Sequence, residues 1–329
     1  MTGAPTPPAM ADRPALLVTV PPDRLPDDRL ALVREAAPDH DVRRGEPDSS
    51  LDGVEVVLGY VEPARVAEAD ELRWIQSWSA GLDWLLDADA RLPAGLQVTS
   101  ASGVHAVPIA EHVFALLLAV ARRLPAHLDA QRDGVWDPDR AAGTFELEGR
   151  RLVLLGVGEI GGRVARLASA FGMFVTAVQH HSDDSSVPGV DRTVTNDGLL
   201  DVLPETDVVV MSLPLTDATR GIVGAGTFAA LPDHAVLVNV GRGETVDQSA
   251  LVAALRAGRI AAACLDVTDP EPLPPDSPLW ALDNALVTPH VAGQAPHYAD
   301  RALAIFLDNL GRYRRGQPLA NAVDLEAGY

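Results

Sequence analysis

The sequence predicts an α/β protein with two parallel sheets, each wound with helices. Three observations carry that prediction. Short apolar runs of strand length alternate with longer helical stretches, the pattern of strands covered on both faces by crossover helices. At 329 residues the chain exceeds one comfortable core and suits two domains. Apolar residues make up 47% of it and charged residues 22%, enough to bury cores of that size and too apolar for wholesale disorder.

The elements follow in order. Residues 1–13 are rich in Pro and Ala and lack the long apolar core of a signal peptide, so a disordered tail is expected there. From Pro14 the pattern gives a strand at Ala15 to Val20, a helix at Asp27 to Ala37, and strands at Val54 to Leu58 and Trp74 to Trp78. Pro108 then opens a helix whose body, Ile109 to Arg123, is apolar nearly all round and therefore buried on several sides, as at a domain junction or subunit interface. Its longest apolar run, Val113 to Ala121, is about half the length that spans a bilayer, so no membrane segment is expected. Gln131 to Gly149 lapses into Gly, Pro and charge, which reads as a loop.

The second sheet is expected to use strands at Leu152 to Leu155, Val175 to Val178, Val208 to Met211, Val236 to Val240, Ala261 to Leu265 and Leu286 to Thr288. Helices between them complete a doubly wound domain. After Pro296 an amphipathic helix runs to about Arg315 and is expected to return to the first domain. The division is then 14–105 with 294–329 for one domain and 106–293 for the other.

Composition removes several kinds of function. A formal charge of −20 disfavours nucleic acid and anionic membrane as partners, and makes a charged small substrate depend on a local basic site. All 26 basic residues are arginine, so no side-chain Schiff base, P-loop lysine or tyrosine–lysine pair can operate. Cys264 is the single cysteine. It leaves no disulfide framework and no cysteine cluster for zinc; no metal site is expected, and a reducing cytoplasm fits.

The strand Leu152 to Leu155 leads into Gly156-Val157-Gly158-Glu159-Ile160-Gly161 and then a helix through Phe171. A dinucleotide pyrophosphate needs such a turn. The first glycine makes it tight, the second leaves room for phosphate against the backbone, and the third lets helix and strand pack closely. This makes the second domain a Rossmann dinucleotide-binding domain, with Gly156, Gly158, Glu159, Ile160 and Gly161 at the cofactor. NAD-specific sites usually place a carboxylate at the end of the next strand, to bind the ribose 2'-hydroxyl. Gln179-His180-His181-Ser182 stand there instead, and all can donate hydrogen bonds to a 2'-phosphate. NADP(H) is the favoured cofactor, and NAD(H) stays the alternative because Asp183 and Asp184 follow.

Three further segments carry chemistry: Asn239-Val240-Gly241-Arg242-Gly243, Asp269-Pro270-Glu271-Pro272-Leu273 and Thr288-Pro289-His290-Val291-Ala292-Gly293. Each follows a predicted strand, and the carboxyl ends of strands surround the ligand crevice of an open α/β sheet. One cation, one carboxylate and one imidazole, behind a dinucleotide turn, make a reduction site.

With these segments in hand, the chain resembles the D-isomer-specific 2-hydroxyacid dehydrogenases from about Leu72 to the end of the last helix. The resemblance includes Leu72-Arg73-Trp74-Ile75-Gln76-Ser77-Trp78-Ser79-Ala80-Gly81-Leu82-Asp83 and the stretch from Ser102-Gly103-Val104-His105 to Ala110-Glu111-His112, beside the glycine turn and the three segments above. It implies that Arg242, Glu271 and His290 are catalytic, that the amides of Ser79, Ala80 and Gly81 hold the substrate carboxylate, and that Asp266 holds the nicotinamide carboxamide. Leu213, Pro214, Val240, Gly241 and Gly293 are also expected at the cofactor. The resemblance further implies a smaller, discontinuous flavodoxin-like substrate domain and a homodimer formed through the cofactor domain.

The expected reaction moves a hydride between NAD(P)H and C2 of a small 2-keto acid, giving a D-2-hydroxy acid. His290 would supply the proton, and a carboxylate beside an imidazole favours its protonated form. Glyoxylate and hydroxypyruvate are the default substrates, with Trp78, Trp84, His105 and Trp280 as candidate pocket residues. D-3-phosphoglycerate is the alternative, disfavoured because no regulatory domain is expected after the last helix. A non-catalytic, dinucleotide-sensing protein of the corepressor kind is the alternative of another class.

Overall fold

The computed structural model describes residues 13–86, 92–179 and 187–323; the expected tail before Arg13 lies outside them. The chain divides into two compact units, one taking residues up to Val104 and from Ala295 onward, the other His105–Gln294.

The first unit begins with β1 (Ala15–Val18), α1 (Asp27–Ala36), β2 (Asp41–Arg44), β3 (Val54–Leu58) and α2 (Pro63–Val66), then β4 (Trp74–Gln76), α3 (Asp83–Leu86) and β5 (Gln97–Thr99). Among the described residues its strands form one parallel sheet in the order β2-β1-β3-β4-β5, which is the flavodoxin-like order. β1, β3 and β4 lie inside the sheet and are almost wholly buried, so they are mostly apolar, with Glu55 and Gln76 the polar exceptions. The expected strands at Ala15 and Trp74 both stop two residues early. β4 gives way at Ser77 to the turn that carries Ser79, Ala80 and Gly81.

The second unit opens with α4 (Ala106–Ala121) and α5 (Leu124–Arg132). The helix expected to reach Arg123 ends earlier because Arg123 takes a left-handed φ of 55°, which breaks the helical path and lets α5 start on a new axis. There follow β6 (Arg151–Leu155), α6 (Glu159–Ala170), β7 (Phe174–Gln179), β8 (Arg192–Thr195), α7 (Leu199–Val202), β9 (Val208–Met211), α8 (Ala225–Ala230), β10 (Val236–Asn239), α9 (Gln248–Arg256), β11 (Ala262–Leu265) and β12 (Ala285–Val287).

Among the described residues these strands make one seven-stranded parallel sheet, β12-β11-β10-β9-β6-β7-β8. The strand order reverses between β6 and β9, and the crevice at that switch point is where such sheets take ligands. α4 and α6 cover one face, where Val113, Leu117, Val164 and Ala168 pack on Leu152, Leu154 and Val210. α8 and α9 cover the other, with Phe228, Leu251 and Leu255 over Val209, Leu237 and Ala263. Cys264 is fully buried in β11, and burial pushes its thiol up to about 12.

α10 (Tyr298–Arg314) belongs to the first unit. Its Phe306 ring stacks on the buried Trp74 indole at 5.4 Å, and Asn309 Nδ2 donates to Gln76 Oε1 at 3.1 Å, fixing the helix on β4. Among the described residues no helix is long and apolar enough to cross a membrane.

Candidate active site

The glycine turn lies at the switch point, after β6. Gly156 has a φ of +90°, and a Cβ there would stand 3.1 Å from the Ser212 carbonyl oxygen beyond β9. A Cβ on Gly161 would come within 2.1 Å of the Gly156 carbonyl oxygen, so close packing of α6 on β6 requires that glycine. Gly158 differs: its φ of −66° is open to any residue, and a Cβ there would meet nothing within 4 Å. Its freedom leaves space in front of α6 rather than satisfying the fold.

Gly158 is also the N-cap of α6, and no side chain caps that terminus. The first amides of a twelve-residue helix, reinforced by its dipole, therefore face the cleared space. Such a cradle fits a pyrophosphate. Glu159 and Ile160 form the first turn of α6, the former exposed.

Neighbouring strand ends build the rest of the crevice. Ser212 Oγ donates to the Gly156 carbonyl at 3.0 Å, and a Cβ on Gly241 would lie 2.7 Å from the Leu213 carbonyl oxygen, so the turns after β6, β9 and β10 pack against one another. Leu213 is half-buried, Pro214 exposed and Val240 buried in this cluster. Gln179 ends β7, half-buried; His180 and His181 lie outside the described residues.

Arg242 follows β10 in a turn latched by Asn239, whose Oδ1 accepts from the Gly241 amide and whose Nδ2 donates to the Arg242 carbonyl, both at 3.0 Å. Arg242 Nη1 donates to the Gly241 carbonyl at 3.0 Å. The next residue, Gly243, lies against Thr268: a Cβ there would overlap the Thr268 carbonyl, 2.0 Å away. Thr268 in turn donates its amide to Glu271 Oε1 at 3.0 Å. The turns carrying Arg242 and Glu271 are thus in contact.

The other oxygen of Glu271, Oε2, stands 2.8 Å from His290 Nδ1. Glu271 thereby fixes the ring orientation and leaves Nε2 to act on a ligand. His290 has a φ of +53°, an uncommon conformation for a residue with a bulky side chain. Its amide donates to the carbonyls of Asp266 and Thr288, at 2.8 and 3.0 Å.

Asp266 follows β11 and is buried. Oδ1 accepts from the Thr288 hydroxyl at 2.6 Å and the Val291 amide at 3.0 Å, while Oδ2 accepts from the Ala292 amide at 3.0 Å. In this structure the side chain braces the loop that carries His290. Gly293 closes that loop under His105, whose Nδ1 lies 3.1 Å from the Gly293 carbonyl. Burial drives the His105 imidazole toward its neutral form, the Gly293 carbonyl partly opposes this, and the charge of His290 adds to it; the net pKa is below the ordinary histidine value.

Ser79, Ala80 and Gly81 lie in the first unit, in a turn held by its own serines. Ser77 Oγ accepts from the Ser79 amide at 3.2 Å, and Ser79 Oγ donates to the Gly81 carbonyl at 2.8 Å. Among the described residues, the amides of Ala80 and Gly81 make no hydrogen bond, so these two are the donors open to an anion.

A parallel sheet with a glycine turn at its switch point and an uncapped helix behind it is a Rossmann-type dinucleotide-binding unit, here in one chain with a flavodoxin-like unit. The chain belongs to the D-isomer specific 2-hydroxyacid dehydrogenase family: residues 114–292 match the model of that family's NAD binding domain. It is 36% identical over 268 residues to a glyoxylate reductase of Aeropyrum pernix, covering 79% of each chain. To a D-3-phosphoglycerate dehydrogenase of Archaeoglobus fulgidus it is 32% identical over 265 residues, 80% of this chain but only 50% of that relative, so it spans about half the length of that enzyme. Among solved structures, a D-isomer specific 2-hydroxyacid dehydrogenase from Xanthobacter autotrophicus in complex with NADPH and MES superposes with a TM-score of 0.82 at 33% identity, covering 96% of this chain and 100% of that one.

Sequence reasoning gave Thr288, His112 and Asn239 no role, although all three hold the site's turns. Thr288 and Asn239 stood inside the quoted segments. The signal for His112 was its place beside Glu111 as the only other polar residue in the otherwise apolar α4.

Proposed function

We propose that this chain is an NADPH-dependent reductase of small 2-keto acids, of the glyoxylate and hydroxypyruvate kind, acting as a cytoplasmic homodimer. The observation that carries the reading is the 2.8 Å contact of Glu271 with His290 Nδ1, past the ends of β11 and β12 of the same sheet whose β6 leads into the dinucleotide cradle. A glyoxylate reductase among the relatives supports the substrate class. The NADPH complex of a related structure, and Gln179 in place of a carboxylate, support the cofactor.

A bound reduced nicotinamide supplies the hydride that goes to C2 of the keto acid. Nε2 of His290 gives its proton to the carbonyl oxygen while Glu271 holds Nδ1. Arg242 clamps the carboxylate and polarises the carbonyl, a task suited to a guanidinium that is always charged. Oxidation of the hydroxy acid reverses the proton's path.

The test is a screen of glyoxylate, hydroxypyruvate, pyruvate and 3-phosphohydroxypyruvate with NADPH and NADH, following loss of cofactor absorbance. Glyoxylate or hydroxypyruvate with NADPH is expected to be fastest, and His290→Ala to lose about a hundredfold or more in kcat with cofactor affinity kept. Preference for 3-phosphohydroxypyruvate would move the reading to the phosphoglycerate dehydrogenase that the chain also resembles. Inactivity with every acid and both cofactors would refute it in favour of a dinucleotide-sensing protein.

A further inference from the structure

The brace under His290 extends into α4. His112 Nε2 lies 3.0 Å from Thr288 Oγ1 and 3.6 Å from Asp266 Oδ1. A threonine hydroxyl has one proton, and here it stands 2.6 Å from the buried Asp266 carboxylate, which only accepts. The proton therefore goes to Asp266, and the hydroxyl oxygen is left to accept from His112. Direction is fixed along the whole chain: His112 Nε2–H to Thr288, Thr288 O–H to Asp266, and Asp266 from the amides of Val291 and Ala292.

Those two amides belong to the residues immediately after His290, and the Asp266 carbonyl takes the amide of His290 itself. The loop is thus held on both sides of a histidine whose φ of +53° persists only where its surroundings enforce it. Released from the brace, His290 would relax toward negative φ and swing Nδ1 away from Glu271.

We propose that His112 and Thr288 are positioning residues for His290, acting through Asp266 to keep the imidazole against Glu271. The inference rests on the reading of His290 as proton donor for its kinetic consequence, but not for its structural one. Charged and titratable groups about His290 include Glu271 against Nδ1, Asp266 beneath the loop, His112 at the far end of the brace and His105 at the head of α4.

The test compares Thr288→Val and His112→Leu, which break the relay, with Thr288→Ser and His112→Gln, which keep a donor at each step. The first readout is the NMR signal of the His290 Nδ1 proton held against Glu271, assigned with His290→Asn, which needs no turnover. The breaking pair should shift that signal or lose it to solvent exchange, and the conservative pair should keep it. With a keto acid, the breaking pair should lose about ten- to a hundredfold in kcat while KM for the acid and Kd for NADPH change less than about threefold.

Should Thr288→Val fail to fold, His112→Leu reads the same relay from its far end. An unchanged His290 Nδ1 proton signal in the folded breaking variants overturns the proposal. So does a loss confined to NADPH affinity, which would make the brace a cofactor contact. A wild-type protein that reduces no keto acid, with breaking variants that still lose the Nδ1 proton signal, would refute the proposed activity and support the brace.

Discussion

Gly158 and Gly161 are both glycines of one turn, yet the structure gives them opposite duties, and alanine at each should separate fold from ligand. At Gly158 the backbone is already in a conformation alanine adopts, and the new methyl meets no atom within 4 Å. Stability should hold or rise by about 0.4–1 kcal/mol, because alanine restricts the unfolded chain. The same methyl would enter the space before the first amides of α6. Overpacking of that order costs about 1–3 kcal/mol, and at about 1.4 kcal/mol per tenfold this weakens NADPH binding roughly 5- to 140-fold.

At Gly161 the methyl would stand 2.1 Å from the Gly156 carbonyl oxygen, a backbone atom that cannot swing aside. A loss of about 3 kcal/mol lowers Tm by roughly 6–12 °C in a unit of this size. Calorimetric titration with NADPH and thermal unfolding of both variants decide the matter. Gly158→Ala protein that binds NADPH as tightly as the parent would show that the cleared space is not where the pyrophosphate lies. Equal loss of Tm in both variants would refute the distinction between the two glycines.

Two further outcomes are expected. Burial raises the Asp207 carboxyl, but the Arg151 amide and the Arg150 guanidinium, at 2.7 and 2.6 Å, outweigh it and hold the pKa below the usual range. Its stabilisation is therefore present above the unfolded value of about 3.9 and is lost as pH falls through the lower folded value. Asp207→Asn should cost about 1–3 kcal/mol in urea unfolding at pH 7, with the gap to the parent closing below about pH 4; a gap that persists there would refute the assignment. Replacing Gln179 by Asp at the end of β7 should cut kcat/KM for NADPH about tenfold or more while sparing NADH, and an unchanged ratio would remove Gln179 from the cofactor reading.

Much of the fold is legible because its central strands are buried on both faces. β9 appears in the sequence as an uninterrupted apolar run, and β3 as one broken only by Glu55, both with the limits the structure shows. β2 (Asp-Val-Arg-Arg) and β8 (Arg-Thr-Val-Thr) are edge strands, half-exposed and polar, so no apolar run marks them. β5 is a third edge, only three residues long. The site divides on similar lines. Arg242, Glu271 and His290 announce themselves by residue type after strands. The relay from His112 through Thr288 to Asp266 does not, because its members are separated by 176 and 22 positions and only folding brings them together.

Cys264 has a practical consequence. Sealed in β11 and held as a thiol by burial, it should stay silent toward maleimides and iodoacetamide under native conditions. With no lysine anywhere in the chain, the background of side-chain amines is absent too. A pair of cysteines placed on the surface, one in each unit, would therefore carry fluorophores or spin labels with almost no competing reaction. The native sequence is already a clean host for measuring, by energy transfer or pulsed resonance, the distance between the units as ligands are added.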